Sequence, residues 1–288
     1  MNNVEKIKYL SEPLDVSVVV CAKNAADTIV ECLKSIKENN PKEIILVDAN
    51  SSDGTQELAK PYVTKIVKDP GLGLAVARNY GLREASGKYI FNVGPDNILP
   101  PGTIKKCIEY LNENNFVGVS TQTLIKDVPK SYLSYAMNLY KKARFYPGSR
   151  SVIGTPHLFI TDVLKKHKFD NKMSWSDDSD LCQRLSKLGY NFGIADNFVY
   201  EIGTENLKSI KTRWRGYGLS DFEYYNKYSK EWRIKRKIIS FLHPLMAEFF
   251  GPLQSEKLTI IEKIQIIPLL LLITILRYIY WIKFAIKR

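Results

Sequence analysis

The sequence predicts an α/β domain in which a mostly parallel sheet is flanked by helices, followed by a helical, apolar C-terminal extension. Three observations carry that reading. Short runs rich in β-branched residues alternate with segments of helical spacing, and each run closes on a polar loop. After about residue 205 the pattern gives way to basic and aromatic helix.

Taken in order, VSVVVC (16–21) is a continuous apolar run and reads as a buried strand. Asp27 then starts a helix in which Ile29, Val30, Leu33 and Ile36 share one face as far as Lys37. EIILV (43–47) is a second buried strand, ending in the polar loop DANSSDGT. A helix is expected over Leu74–Glu84, a strand over Tyr89–Val93, a helix over 102–113 and a strand near 116–120. Strands alternating with helices build a parallel sheet whose ligands bind beyond the carboxyl ends of the strands. The loops AKNAAD, DANSSDGT and GPDN each follow such a strand, so they are expected to converge on one crevice.

The 288 residues suffice for one large domain, or one domain with an appendage, around a sizeable core. The formal charge of +12 suggests nucleic acid until it is located. Residues 1–204 carry only +3, whereas residues 205–288 carry +9 together with the most apolar stretches, which points to membrane instead. No nucleic-acid-binding module is recognisable. Cys21, Cys32, Cys107 and Cys182 are scattered, with no CxxC pair, so reduced thiols in a cytoplasmic setting are expected rather than zinc or redox chemistry. MNNVEKIKYL lacks the apolar core of a signal peptide.

Four blocks follow one another along the chain: VSVVVCAKNAADTIVECLKSI, ILVDANSSDGT, ARNYGLREASGKYIFNVGPDNILPPG and WSDDSDLCQRLSKLGYN. Over about residues 15–220 they resemble the inverting nucleotide-sugar glycosyltransferases typified by cellulose, hyaluronan and dolichyl-phosphate-sugar synthases. The resemblance implies a GT-A fold and transfer of a sugar from a nucleotide-sugar donor to a hydroxyl, with inversion. Transfer to a polyprenyl phosphate, or a non-catalytic nucleotide-sugar-binding scaffold, are the alternatives. Asn24 is the one match in the first loop, which in the family lies along the nucleotide. Asp48 matches the acid that typically meets the base, and an acceptor-only carboxylate suits a pyrimidine imide N–H. Asp53 and Gly54 also read as a plain turn with a helix cap. Arg78 and Asn79 match the third block; Arg78 is placed by the diphosphate or as a buttress of the sugar loop, with a structural salt bridge as the alternative. Val76 occupies the third glycine position of a dinucleotide fingerprint, so no nicotinamide cofactor is expected.

Where the family carries Asp-x-Asp, this chain has Gly94-Pro95-Asp96. Glu201 stands where many relatives carry a histidine ligand. Asp96 and Glu201 are therefore expected to form an oxygen-rich site for Mg²⁺ or Mn²⁺, completed by substrate phosphates; the alternative is a metal-independent site with basic residues facing the phosphates. Asp177-Asp178 matches the family's base motif at a helix start. Inversion requires removal of the acceptor proton, and a second carboxylate nearby raises the pKa of the first. Asp178 is assigned as base and Asp177 as its orienting or acceptor-binding partner, against the alternative of a helix-capping cluster. Asp180 and Arg184, four apart, read as a structural pair. Arg213-Trp214 is half of the Gln-x-x-Arg-Trp motif of processive synthases, with Ile210 at the glutamine position; with His157 these are acceptor-side candidates, a satisfied surface histidine being the alternative for His157.

The tail holds two apolar segments, 238–253 and 264–286. Residues 264–280 reach about 25 Å as a helix, short of a bilayer core of about 30 Å. Lys235-Arg236-Lys237 precede the pair, and Lys283, Lys287 and Arg288 end it, so both flanks favour the cytoplasmic side and a hairpin or re-entrant arrangement. An oligomerisation surface is the alternative. The expected organisation is a catalytic domain over 1–205, a basic-aromatic helical region over 206–237 that closes the site, and a membrane-associated extension over 238–288. Its partners would be the nucleotide-sugar donor, a glycan or lipid-linked acceptor, and membrane lipid.

Overall fold

A computed structural model describes residues 12–126, 131–202 and 206–286; MNNVEKIKYL, Lys287 and Arg288 lie outside the described residues. The chain begins with β1 (Leu14–Ala22), α1 (Ile29–Glu38), β2 (Pro41–Asp48), α2 (Thr55–Ala59), β3 (Lys65–Lys68), α3 (Leu74–Glu84) and β4 (Tyr89–Val93). β1, β2 and β4 pair in parallel, as the alternation predicts, and β3, which the pattern does not mark, joins β2 in parallel. Both faces of these strands are covered. Val18, Val20, Leu46 and Phe91 pack towards Ile29, Leu33 and Ile36 of α1. The alternate residues Val19, Ile45, Val47 and Ile90 pack towards Ala75, Ala77 and Leu82 of α3. A period of two with apolar residues on both faces is what a doubly covered sheet requires. Gly81 lets α3 lie close, since a Cβ there would stand 2.4 Å from Val19 Cγ1.

Next come β5 (Asn97–Ile98), α4 (Thr103–Glu113), β6 (Gly118–Ile125), α5 (Tyr132–Arg144), β7 (Gly148–Arg150), β8 (His157–Ile160), α6 (Thr161–His167), α7 (Asp177–Ser186) and β9 (Phe192–Glu201). The strand order is β3-β2-β1-β4-β8-β6-β9-β5, with β7 on β9. Here the sheet turns mixed: β8 runs antiparallel to both β4 and β6, while β6 and β9 are parallel. The sequence pattern identifies β1, β2, β4 and β6 but neither β3 nor β8, whose four residues each are too short to show a period. The described fold is therefore a mixed α/β sheet with flanking helices.

The tail consists of α8 (Leu207–Tyr228), a 3₁₀ turn, α9 (Ile234–Pro244), a π-helical stretch (Leu245–Phe250), α10 (Gly251–Gln254) and α11 (Ile260–Ile286). Asn206 caps α8, accepting from the N–H groups of Lys208 and Ser209. α11 is long and apolar enough to cross a membrane, and 39% of its most apolar window is buried in the protein. Ile266, Leu269, Leu270 and Ile273 join Met137 and Tyr140 of α5 and Ile210 and Trp214 of α8 in one core. Each such burial is worth about 1.5–3 kcal/mol. Gly218 brings α11 against α8: a Cβ there would stand 2.7 Å from Tyr280 Cβ and 2.8 Å from the Arg277 carbonyl oxygen.

Candidate active site

The loops after β1, β2 and β4 do meet. Asn24, at φ +51°, donates its backbone N–H to Ser51 Oγ (2.8 Å) and accepts from Ser52 N–H through its side chain (3.0 Å). Asp53 accepts from Ala26 N–H at 3.0 Å. Asp48 is fully buried and accepts from Ser51 N–H (2.9 Å), Ser51 Oγ (2.5 Å) and Gln56 Nε2 (2.6 Å). Its carboxylate thus holds the loop in shape from beneath. The turn reading of Asp53 and the base-binding reading of Asp48 were drawn from one stretch of sequence; the geometry gives both acids a loop-bracing role.

α7 presents Asp177 and Asp178 in its first turn, above Arg78 of α3. The Arg78 guanidinium is 3% exposed and donates to Asp177, to Asp178 (2.6 Å) and to Thr155 Oγ1. Burial raises the Asp177 pKa to about 6 against the pull of Arg78, with Asp178 pushing the same way. Burial raises Asp178 too, and Arg78 opposes it. Asp178 remains 22% exposed, whereas Asp177 is closed off at 2%. The pair therefore has one carboxylate facing the crevice and one holding it from behind. Arg78's donors are engaged by the two carboxylates and Thr155, the arrangement that the salt-bridge alternative describes.

His157, at the start of β8, is fully buried, which corrects both the acceptor-side and the surface reading. Its Nδ1 lies 3.6 Å from Asp178 Oδ1, and its ring stacks on Phe169. Burial, and then Arg78, hold its pKa well below the ordinary value, so it stays neutral. Trp214 is likewise buried, edge-on to Tyr140 and Tyr217 in the tail core, and cannot touch an acceptor. Asp180 and Arg184 pair at 2.8 Å as expected, with Lys227 and Tyr228 of α8 also on Asp180.

Across the crevice, β5 pairs with β9 so that Asn97 faces Glu201, which brings Asp96 beside Glu201. Burial, reinforced by Glu201, raises Asp96 to about 6. Glu201 goes the other way: burial opposes ionisation, but Lys141 of α5 and Arg213 of α8 lower its pKa. Lys141 donates to Glu201, and Arg213 reaches it at 3.4 Å. Gly94 is more than a lost acid: a Cβ there would stand 2.7 Å from Asp96 Oδ1, and its N–H donates to Asn97 Oδ1 at 3.0 Å. Among the described residues no three potential ligands cluster as a metal site.

Thr155, Lys141, Trp175 and Glu223 were not singled out from the sequence. Glu223 of α8 accepts from Ser174 N–H, Trp175 N–H and Ser176 Oγ at 3.0–3.2 Å, which fixes the approach to Asp177. A cavity of about 490 Å³ opens beside it, lined by Trp175, Asn206, Lys208, Ser209, Thr212 and Arg213. Another, of about 310 Å³, opens at the far end of β2 beside Lys37 and Tyr62, away from the carboxylates.

An α/β fold with paired carboxylates at a helix start, at the mouth of loops that follow parallel strands, defines a group-transferring enzyme class. Residues 17–167 match the family model described as Glycosyl transferase family 2, and the chain belongs to that family; it is a glycosyltransferase. The matched stretch contains Asn24, Asp48, Arg78 and Asp96 and ends before Asp177. The chain is 25% identical over 248 residues to an uncharacterized glycosyltransferase of Methanocaldococcus jannaschii, covering 79% of this chain and 82% of that protein. It is 23% identical over 235 residues to the minor teichoic acid biosynthesis protein GgaB of Bacillus subtilis, covering 72% of this chain but only 26% of GgaB. The fold resembles that of S. aureus TarS 1–349 in complex with UDP, with TM-score 0.51 and 15% identity over 92% of this chain and 88% of that one.

Proposed function

We propose that this chain is an inverting glycosyltransferase that moves a sugar from a nucleotide-sugar donor to a hydroxyl of a lipid-linked glycan or similar glycoconjugate precursor at the membrane. The observation that carries the reading is the Asp177–Asp178 pair over buried Arg78, across the crevice from Asp96 and Glu201. The nucleotide lies on the Asn24 and Asp48 loops, with its diphosphate towards Asp96. The acceptor oxygen attacks the anomeric carbon as the bond to the nucleotide diphosphate breaks, and its proton passes to Asp178. Asp177 and Arg78 position that carboxylate, and neutral His157 keeps water from its inner side.

A divalent cation, which the family implies, fits Asp96. That carboxylate is buried beside the second carboxylate of Glu201, and burial, then Glu201, raise it to about 6 against the pull of Arg213 and Lys141. Asp96 and the donor's phosphate oxygens would hold Mg²⁺ or Mn²⁺, with Glu201 less suited because Lys141 and Arg213 already occupy it. When bound, the ion supplies positive charge to the leaving diphosphate.

Asp178→Asn tests the assignment. Turnover is expected to fall by about 10²–10⁴-fold while the protein still gains thermal stability from its nucleotide-sugar. Near-normal turnover would favour a polyprenyl phosphate acceptor, which is already anionic. Donor binding with neither transfer nor hydrolysis in the unaltered protein would favour a scaffold.

The tail supports a place on the lipid surface. The outward faces of α9 and α11 expose Ile238, Phe241, Leu242, Leu271, Ile275 and Ile279, beside Lys235-Arg236-Lys237. Buried Arg277 pairs with Asp221 of α8 at 2.6 Å, a tie that a crossing helix would have to break. α11 therefore lies along the cytoplasmic leaflet rather than through it.

A further inference from the structure

We propose that Lys141 determines when the divalent ion binds: by holding Glu201 it leaves Asp96 to meet the ion without a second carboxylate, so the ion arrives and leaves with the nucleotide diphosphate. This rests on the reading of Asp96 as the ion's carboxylate. Asp96 and Glu201 are neighbours through the backbone. Ile202 N–H donates to the Asp96 carbonyl oxygen at 2.7 Å, and Asn97 pairs with Glu201 across β5 and β9. Two adjacent carboxylates with no cationic partner would collect a divalent ion before any substrate came, because affinity rises with the number of charged ligands.

This chain prevents that. Lys141 is 5% exposed on α5 and donates to Glu201, while Arg213 of α8 reaches both oxygens of the same carboxylate at 3.4 and 3.5 Å. A lysine is rarely buried without a charged partner, and an apolar side chain of similar volume would pack there at no greater cost. α5 already gives Met137 and Tyr140 to the tail core, so the helix does not depend on this ion pair to stay in place. What the ammonium changes is the charge of the site. Asp96 and Glu201 are balanced by Lys141 and Arg213, two negative charges against two positive, which leaves a free cation no net attraction. Gly94 closes the other route to a second ligand: a Cβ there would stand 2.7 Å from Asp96 Oδ1, so an acid at 94 would press on the carboxylate beside it.

The donor supplies what the cluster lacks. Its diphosphate brings negative oxygens, the ligands that Mg²⁺ and Mn²⁺ prefer, to the side of Asp96. Ion and donor each raise the affinity for the other, and the ion goes out with the nucleotide diphosphate product. Lys141 acts through Glu201 and is a positioning residue, not a ligand.

Titration of the full chain with Mn²⁺ alone, followed through the electron paramagnetic resonance signal of the free ion, tests this. The unaltered protein is expected to bind only in the millimolar range or more weakly. Lys141→Met, similar in length and without charge, should bind at least about tenfold tighter, a gain that a merely structural lysine would not give. Lys141→Met/Glu201→Gln should return to the unaltered value, and Lys141→Arg should stay weak. Micromolar binding of Mn²⁺ by the unaltered protein overturns the role of Lys141. So does a Lys141→Met protein of unchanged circular dichroism that shows no tightening, or tightening that Glu201→Gln does not reverse. Tightening that survives Asp96→Asn in the Lys141→Met background overturns the reading of Asp96 instead, so the two failures are told apart.

Discussion

At the scale of single residues, Arg78 is the group that ties the carboxylate pair together. A buried guanidinium persists only with partners, and Arg78 has two carboxylates and a hydroxyl. It lowers the pKa of both acids against a burial effect that raises them. The base must be ionised, and burial raises the Asp178 pKa, so kcat/KM is expected to begin falling on acidification above the ordinary carboxylate range. In Arg78→Gln that acid limb should move up by about one unit or more, because an opposing charge is gone; pH–rate profiles of the two proteins check it. The same shift has a sign for stability. A carboxyl whose native pKa exceeds its unfolded value favours the native state below about 4, and that contribution is lost as pH rises through about 6. The site therefore costs stability at neutral pH, as functional carboxylates commonly do.

Among elements, α8 is the coupling piece. Gly216 and Gly218 are two residues apart, so they face nearly opposite sides of the helix. Trp175 packs on the first and α11 on the second. The same helix supplies Glu223 to the base loop, Arg213 to Glu201 and Asp221 to Arg277. The tail is tied in further by Glu248, which is fully buried with Arg144 at 2.8 Å and with Arg277 and Tyr140. Burial works against its charge, but Arg144 and Arg277 hold its pKa down at about 2. This tie is present above the ordinary glutamate value and is lost as pH falls towards 2. Glu248→Gln leaves Arg144 without its carboxylate and Arg277 with Asp221 alone, and should destabilise the chain by about 3–5 kcal/mol in urea denaturation. A change near zero would mean that water reaches the network.

For the whole molecule, the question is how a near-neutral catalytic half and a +9 tail share one body. Exposed apolar residues of α9 and α11 lie on helices packed with α8, so on the proposed reading lipid contact and catalysis are linked through α8. Cosedimentation with anionic vesicles is expected. Replacing Lys235, Arg236 and Lys237 by alanine should weaken binding roughly a hundredfold, at about 1 kcal/mol per charge. Carbonate should be needed for release from membranes; release by high salt alone would contradict insertion of the apolar face.

Much of this was legible in the sequence. β1, β2 and β4 are apolar runs, and their order and polar loops identify the crevice; Asp177-Asp178 at a helix start and Asp96 with Glu201 are visible as residue types in the right sequence. These features are local, and burial imprints local periodicity on a chain. What only the tertiary structure decided is pairing between distant segments: β8 reversed between β4 and β6, Arg78 under carboxylates 99 and 100 residues away, Lys141 on Glu201, and α11 docked on α8 rather than free. His157 and Trp214 turned inward for the same reason. Residue type and spacing state what a side chain can do, but only the long-range packing of the sheet and tail decides which partner and which solvent it meets.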